Sequence, residues 1–196
     1  MNLTPELVKS YWEYMTRKHR TEVRYKTDAE EMKSLADLLS VMGVLDPTDF
    51  MTRFATTIGR TIYLPFQIGD ASSFSLWSQI EIGAHEHQHV VQLDSDPNFF
   101  STNYVLDPTK RAHYEAEAYR VSMTMNFWAT GCAPQPDMYV ESLKHYGIDE
   151  KGIDFAREYL RLSRPTILTH GIPDQAAKDT IGWFQTNAPT LLVSPS

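Results

Sequence analysis

The sequence predicts an α+β domain in which helix predominates, and three observations carry that reading. Much of the chain falls into segments that open on a helix-capping residue, such as Thr4, Asp28 or Asp46. Runs rich in β-branched and aromatic residues are few and short, at 22–26 and 60–65, enough for one small sheet. A length of 196 residues, with 42% hydrophobic and 12% aromatic residues, suits one compact domain with a real core rather than two.

Taken in order, Thr4-Pro5-Glu6 opens a helix to about residue 20, with proline at its first position. The basic group Arg17, Lys18, His19 and Arg20 closes that helix, where positive charge complements the exposed carbonyls. A short strand at 22–26 follows. Asp28 is expected to cap a second helix ending at Gly43, and Asp46-Pro47-Thr48 a third. Arg60-Thr61-Ile62-Tyr63-Leu64-Pro65 reads as a strand stopped by proline. After a polar loop come a long helix at 75–94, a second polar loop, and a helix at 108–129 with Gly131 as C-terminal cap. Shorter helices are expected at 137–146, 149–162 and 173–187. A single domain over 1–196 results, with a core at about 60–130 and helical extensions on both sides.

Composition excludes several classes. A net charge of −7 and scattered basic residues argue against general nucleic-acid binding. No apolar run approaches the length of a membrane span. The first residues lack the basic start and apolar stretch of a secretory signal, so a cytoplasmic or phage-associated location is expected. A single cysteine, Cys132, provides no intramolecular disulfide and reads as structural.

Chemistry concentrates in His85-Glu86-His87-Gln88-His89, an HExxH pattern on the long helix. At about 100° per residue, His85 and His89 lie about 40° apart and one turn along, so both imidazoles reach one ion. Glu86 stands beside that pair, placed to take a proton from a water that the ion acidifies, while the water attacks a carbonyl. Leu76, Ile80, Gly83, Ala84, Val90 and Val91 cluster on the opposite side, so one face is expected to enter the core. His87 falls in that stripe and reads as a satisfied core histidine. Gln92 lies near the histidine face and is available to hydrogen-bond there.

Catalytic zinc needs a third protein ligand and an open fourth position. The next helix offers Glu115 and Glu117, which point about 160° apart and cannot both serve. Small residues beside Glu115, namely Ala112 and Ser122, allow close approach and favour it. Glu117 lies nearer His113, and helical phase leaves the choice open.

With these residues in place the chain resembles the gluzincin branch of the zincin metallopeptidases, in which a later helix supplies a glutamate within ExxxD. Glu115-Ala116-Glu117-Ala118-Tyr119 follows that form with Glu115 in the ligand position. The run from His85 to Gln92 is also similar to small zincin-like domains of phage particles and bacterial injection systems. The resemblance implies a zincin-like core, a metal site of His85, His89 and Glu115 holding Zn2+, Glu86 as general base, and a peptide or protein substrate. It further implies a phage-particle or secretion-complex partner, and a strand before the motif helix, matched by 60–65, lining the cleft and pairing with extended substrate. Tyr119 departs from the family aspartate that braces a zinc-bound histidine, so that support must come from elsewhere. His145, Tyr146 and His170 are available to stabilise an oxyanion, with no choice among them.

Two other readings compete. Glu86-His87-Gln88-His89 also spells the Glu-x-x-His element of di-iron bundles, but no second element exists, since Glu141 to His145 is one residue too long. The alternative is a zinc-binding, zincin-like structural or interaction protein with little or no catalysis.

Overall fold

The computed structural model describes residues 2–41 and 46–193. It has the predominantly helical α+β architecture expected, with a small three-stranded sheet beside a stack of helices. The first helix, α1 (Pro5–His19), starts where expected: the Thr4 side chain accepts from the Leu7 amide and Pro5 takes the first turn. Arg20 adopts a left-handed conformation, φ 53°, and ends it, with Arg17, Lys18 and His19 in the last turn.

Strand β1 (Glu22–Tyr25) leads into a 3-10 turn, Lys26–Asp28, so Asp28 is not the cap expected of it; helix α2 (Glu30–Val41) begins two residues later. Its expected end at Gly43 lies outside the described residues. Asp46 caps α3 (Pro47–Arg53) through the amides of Thr48 and Asp49. A hairpin follows, β2 (Thr56–Ile58) and β3 (Thr61–Leu64), turning at Gly59 with φ 60°. The sheet order is β1-β3-β2, with β3 parallel to β1 and antiparallel to β2.

This order corrects the expectation for the 60–65 strand. β3 is the central strand, hydrogen-bonded on both sides, and has no free edge for a substrate. The edge nearest the HExxH helix is β2, whose three residues are too few to stand out from a loop by alternation.

Helix α4 (Leu76–Ser95) carries the motif and is capped by Ser75 on the Ser78 amide. It departs from an amphipathic pattern: Gln79, Ile80 and every residue from Gly83 to Val90 are buried. The helix is central, packed against α1, α6 (Pro108–Thr130) and α9 (Gln175–Asn187). Gly83 permits the α1 approach, because a Cβ there would stand 2.9 Å from the Tyr11 ring and 3.0 Å from the Trp12 ring.

Between α4 and α6, where sequence suggests only loop, lies α5 (Phe100–Leu106). The C-terminal part contains α7 (Asp137–Leu143), a 3-10 turn at Lys144–Tyr146, and α8 (Glu150–Leu168). α8 continues through Pro165 to bury Ile167, past the expected end at 162. Val8, Trp12, Ile80, Val121, Leu160 and Phe184, from five helices along the whole chain, belong to one hydrophobic cluster. Among the described residues no helix is long and apolar enough to cross a membrane.

Candidate metal centre

Two helices build the site. α4 supplies His85, Glu86 and His89, and α6 lies alongside and supplies Glu115. His85 Nε2 stands 3.6 Å from Glu115 Oε2, and His89 Nε2 stands 3.5 Å from Glu115 Oε1. A tetrahedral ion with bonds of about 2.1 Å holds its ligand atoms about 3.4 Å apart, so these separations suit a zinc-sized ion. All three side chains are buried, and one ligand atom from each lies within 4.8 Å of the others.

The far side of each imidazole is held. His89 Nδ1 donates to Gln92 Oε1 at 2.9 Å, and the Gln92 amide donates in turn to the Tyr114 carbonyl and to Glu117 Oε2, both at 2.9 Å. His85 Nδ1 meets Ser122 Oγ at 3.3 Å. Such outer contacts fix ring orientation and leave each Nε2 turned toward Glu115, where an ion would sit. The structure thus separates the two glutamates left open by sequence: Glu115 enters the cluster, and Glu117 stands behind it as the acceptor for Gln92.

Tyr119 does not replace the bracing carboxylate. Its ring lies edge-to-face against His85 with centroids 4.9 Å apart, and burial pushes its phenol well above the usual range. Ser122 takes the contact to His85 Nδ1.

Glu115 Oε1 accepts from the Tyr104 hydroxyl, whereas Oε2 is buried with no hydrogen-bond partner. A buried carboxylate oxygen with no hydrogen bond, held only by the 3.6 Å contact to His85 Nε2, is costly, and a cation there would satisfy it. The residues present therefore fit a divalent ion. Burial opposes the charged forms of His85 and Glu115. Neighbouring charges outweigh it: contact with Glu115, with help from Glu86 and Glu81, raises the His85 pKa, and the charge of His89, then the contacts with His85 and Tyr104, lower that of Glu115.

Glu86 turns toward β2, where Thr57 Oγ1 donates to its Oε2 at 2.6 Å. Glu86, His89 and Glu115 open onto one cavity of about 490 Å³. His145 and Tyr146 line the same cavity, but His170 does not; it packs against Phe127 and Trp128. Exposed Cys132 is not among the cavity's lining residues.

Sequence reasoning missed Thr57, Tyr104 and the bracing role of Ser122. Thr57 and Tyr104 sit on short elements without a periodic signal, and Ser122 stood out only as a small residue. Comparisons with protein-family profiles, with curated proteins and with solved structures find no match for this chain.

Proposed function

We propose that this chain is a zinc-dependent peptidase with a zincin-like core, in which His85, His89 and Glu115 hold the ion and Glu86 is the general base. The observation that supports it best is the unpartnered Glu115 Oε2 beside two imidazoles whose Nδ1 atoms are already anchored. When bound, zinc supplies Lewis acidity, bringing the pKa of a coordinated water to about 7.

The chain's own residues supply the rest. Glu86 accepts the proton that the attacking water loses as its oxygen bonds to the carbonyl carbon. It returns that proton to the amide nitrogen as the C–N bond breaks, so one water is consumed per cleavage. Thr57 orients the Glu86 carboxylate from the edge strand. His145 and Tyr146 line the same cavity and are the side chains from which a donor to the developing oxyanion would come.

The test measures zinc content and cleavage of a broad peptide mixture for wild type and Glu86→Gln. Both proteins should hold one zinc, and the variant should lose turnover by a factor of about 10²–10⁴. Undiminished hydrolysis in the variant would remove Glu86 from its role.

A second reading is a zincin-like binding protein that holds zinc without catalysis, and Tyr119 at the family's aspartate position favours it. Stoichiometric zinc in both proteins with no cleavage by either would select it.

A further inference from the structure

The cavity beside the candidate centre has the size and lining of a selective binding site. Its volume of about 490 Å³ falls in the range of about 300–1,000 Å³ common to ligand pockets. Its lining draws on α2 and α3, with Leu35, Phe50 and, at the end of α3, Phe54, and on α5, with Phe100 and Tyr104. Leu38, Ile58 and Val105, from three different elements, meet at the same cavity and are 55%, 47% and 68% exposed. Isolated exposed apolar side chains are ordinary, but three around one opening extend the apolar lining outward.

The charged groups point the same way. Arg111 lines the cavity, but its guanidinium is committed to backbone carbonyls, at 2.9 Å to Tyr104, 3.1 Å to Val105 and 3.3 Å to Gly147, where it closes the end of α5. Glu86 and Glu115 belong to the candidate centre. A charged side chain of either sign seated among Leu35, Phe50, Phe54 and Phe100 would lose its hydration, and an acidic one would in addition be repelled by those two carboxylates.

We propose that the substrate is a peptide segment bearing large uncharged side chains, leucine or phenylalanine in type, beside the bond to be cut, seated between α2–α3 and α5. This rests on the peptidase reading for turnover, but the selectivity belongs to the cavity and shows equally in binding.

The test uses zinc-loaded protein and fluorogenic peptides differing only in the residues flanking the centre: Leu/Phe, Asp or Lys. Expected is a kcat/KM for the Leu/Phe peptide about 100-fold above the charged ones. Val105→Asp and Leu38→Asp, at exposed positions, should keep full zinc and reduce that preference about 10-fold each. Equal or better cleavage of the charged peptides overturns the proposal. If wild type cleaves none of them, the hydrolytic reading falls and calorimetry on the Glu86→Gln protein decides selectivity. Tighter binding of the Leu/Phe peptide, weakened by Val105→Asp, upholds the proposal, and equal or absent binding overturns it.

Discussion

Two faces of α4 carry histidines two residues apart in sequence, and they do opposite things with their nitrogens. On the face toward α1, His87 donates from Nδ1 to the Gly83 carbonyl at 2.6 Å and accepts at Nε2 from the Thr21 hydroxyl at 3.1 Å. Burial holds its pKa down at about 3, so it is a neutral ring with both nitrogens satisfied by protein. On the face toward α6, His85 and His89 each have one nitrogen held and direct the other at Glu115. A nitrogen left without a protein hydrogen bond, rather than burial or spacing, separates the two candidate ligands from the packing histidine.

The sharpest test of this contrast compares His89→Ala with His87→Ala. The first should lose stoichiometric zinc and all turnover. The second should keep its zinc but lose about 3 kcal/mol of stability, from a cavity and a Thr21 hydroxyl left without its imidazole partner, measured by urea unfolding. Loss of zinc from a folded His87→Ala protein would erase the distinction.

Removing the groups behind the ligands should act more gently. Gln92→Ala and Ser122→Ala should weaken zinc affinity by about 10–100-fold in competition with a chelator. The larger loss belongs to Gln92→Ala, since its contact is 2.9 Å against 3.3 Å for Ser122. Equal affinity across wild type and both variants would mean that the rings need no such support.

Lys26 extends the contrast to a buried cation. It is fully buried, donates to the Phe50 carbonyl at 2.8 Å, and lies 3.5 Å from the Phe50 ring centroid. Burial lowers its pKa from 10.5 to about 7, with the Glu86 charge working the other way. Between those two values the unfolded chain binds a proton that the folded protein lacks, so stability rises with pH across that window. Lys26→Met should remove a rise of about 2 kcal/mol between pH 7 and pH 9 and should favour the variant most at the acid end. An unchanged slope of unfolding free energy against pH would place the titration elsewhere.

Legibility followed the range of the interactions. Caps at Thr4, Asp46 and Ser75 lie within three residues of the amides they satisfy, and the helices they open are where sequence places them. The pairing of His85 with His89 follows from helix pitch alone. The cleft-strand assignment failed because β-branched composition marks a strand without telling a central one from an edge. α5 escaped notice because Phe100 is its only buried residue, which leaves no apolar stripe to read. The all-round burial of α4 hid behind polar side chains whose partners come from other elements: Thr21, Thr57, Ser122 and Glu115.

By itself, then, the amino-acid sequence determined the helical character of the chain, most of its helix starts, and the spacing that sets two imidazoles one turn apart with a carboxylate beside them. Only the tertiary structure decided that Glu115 rather than Glu117 completes the cluster, that Thr57 holds Glu86, and that an apolar cavity opens beside them. The physical reason is that helix geometry is settled within a turn or two of backbone. Which side chains meet across helices depends on the packing of segments far apart in the chain, as in the contact of Tyr11 with Thr180 across 169 positions, and no local pattern records it.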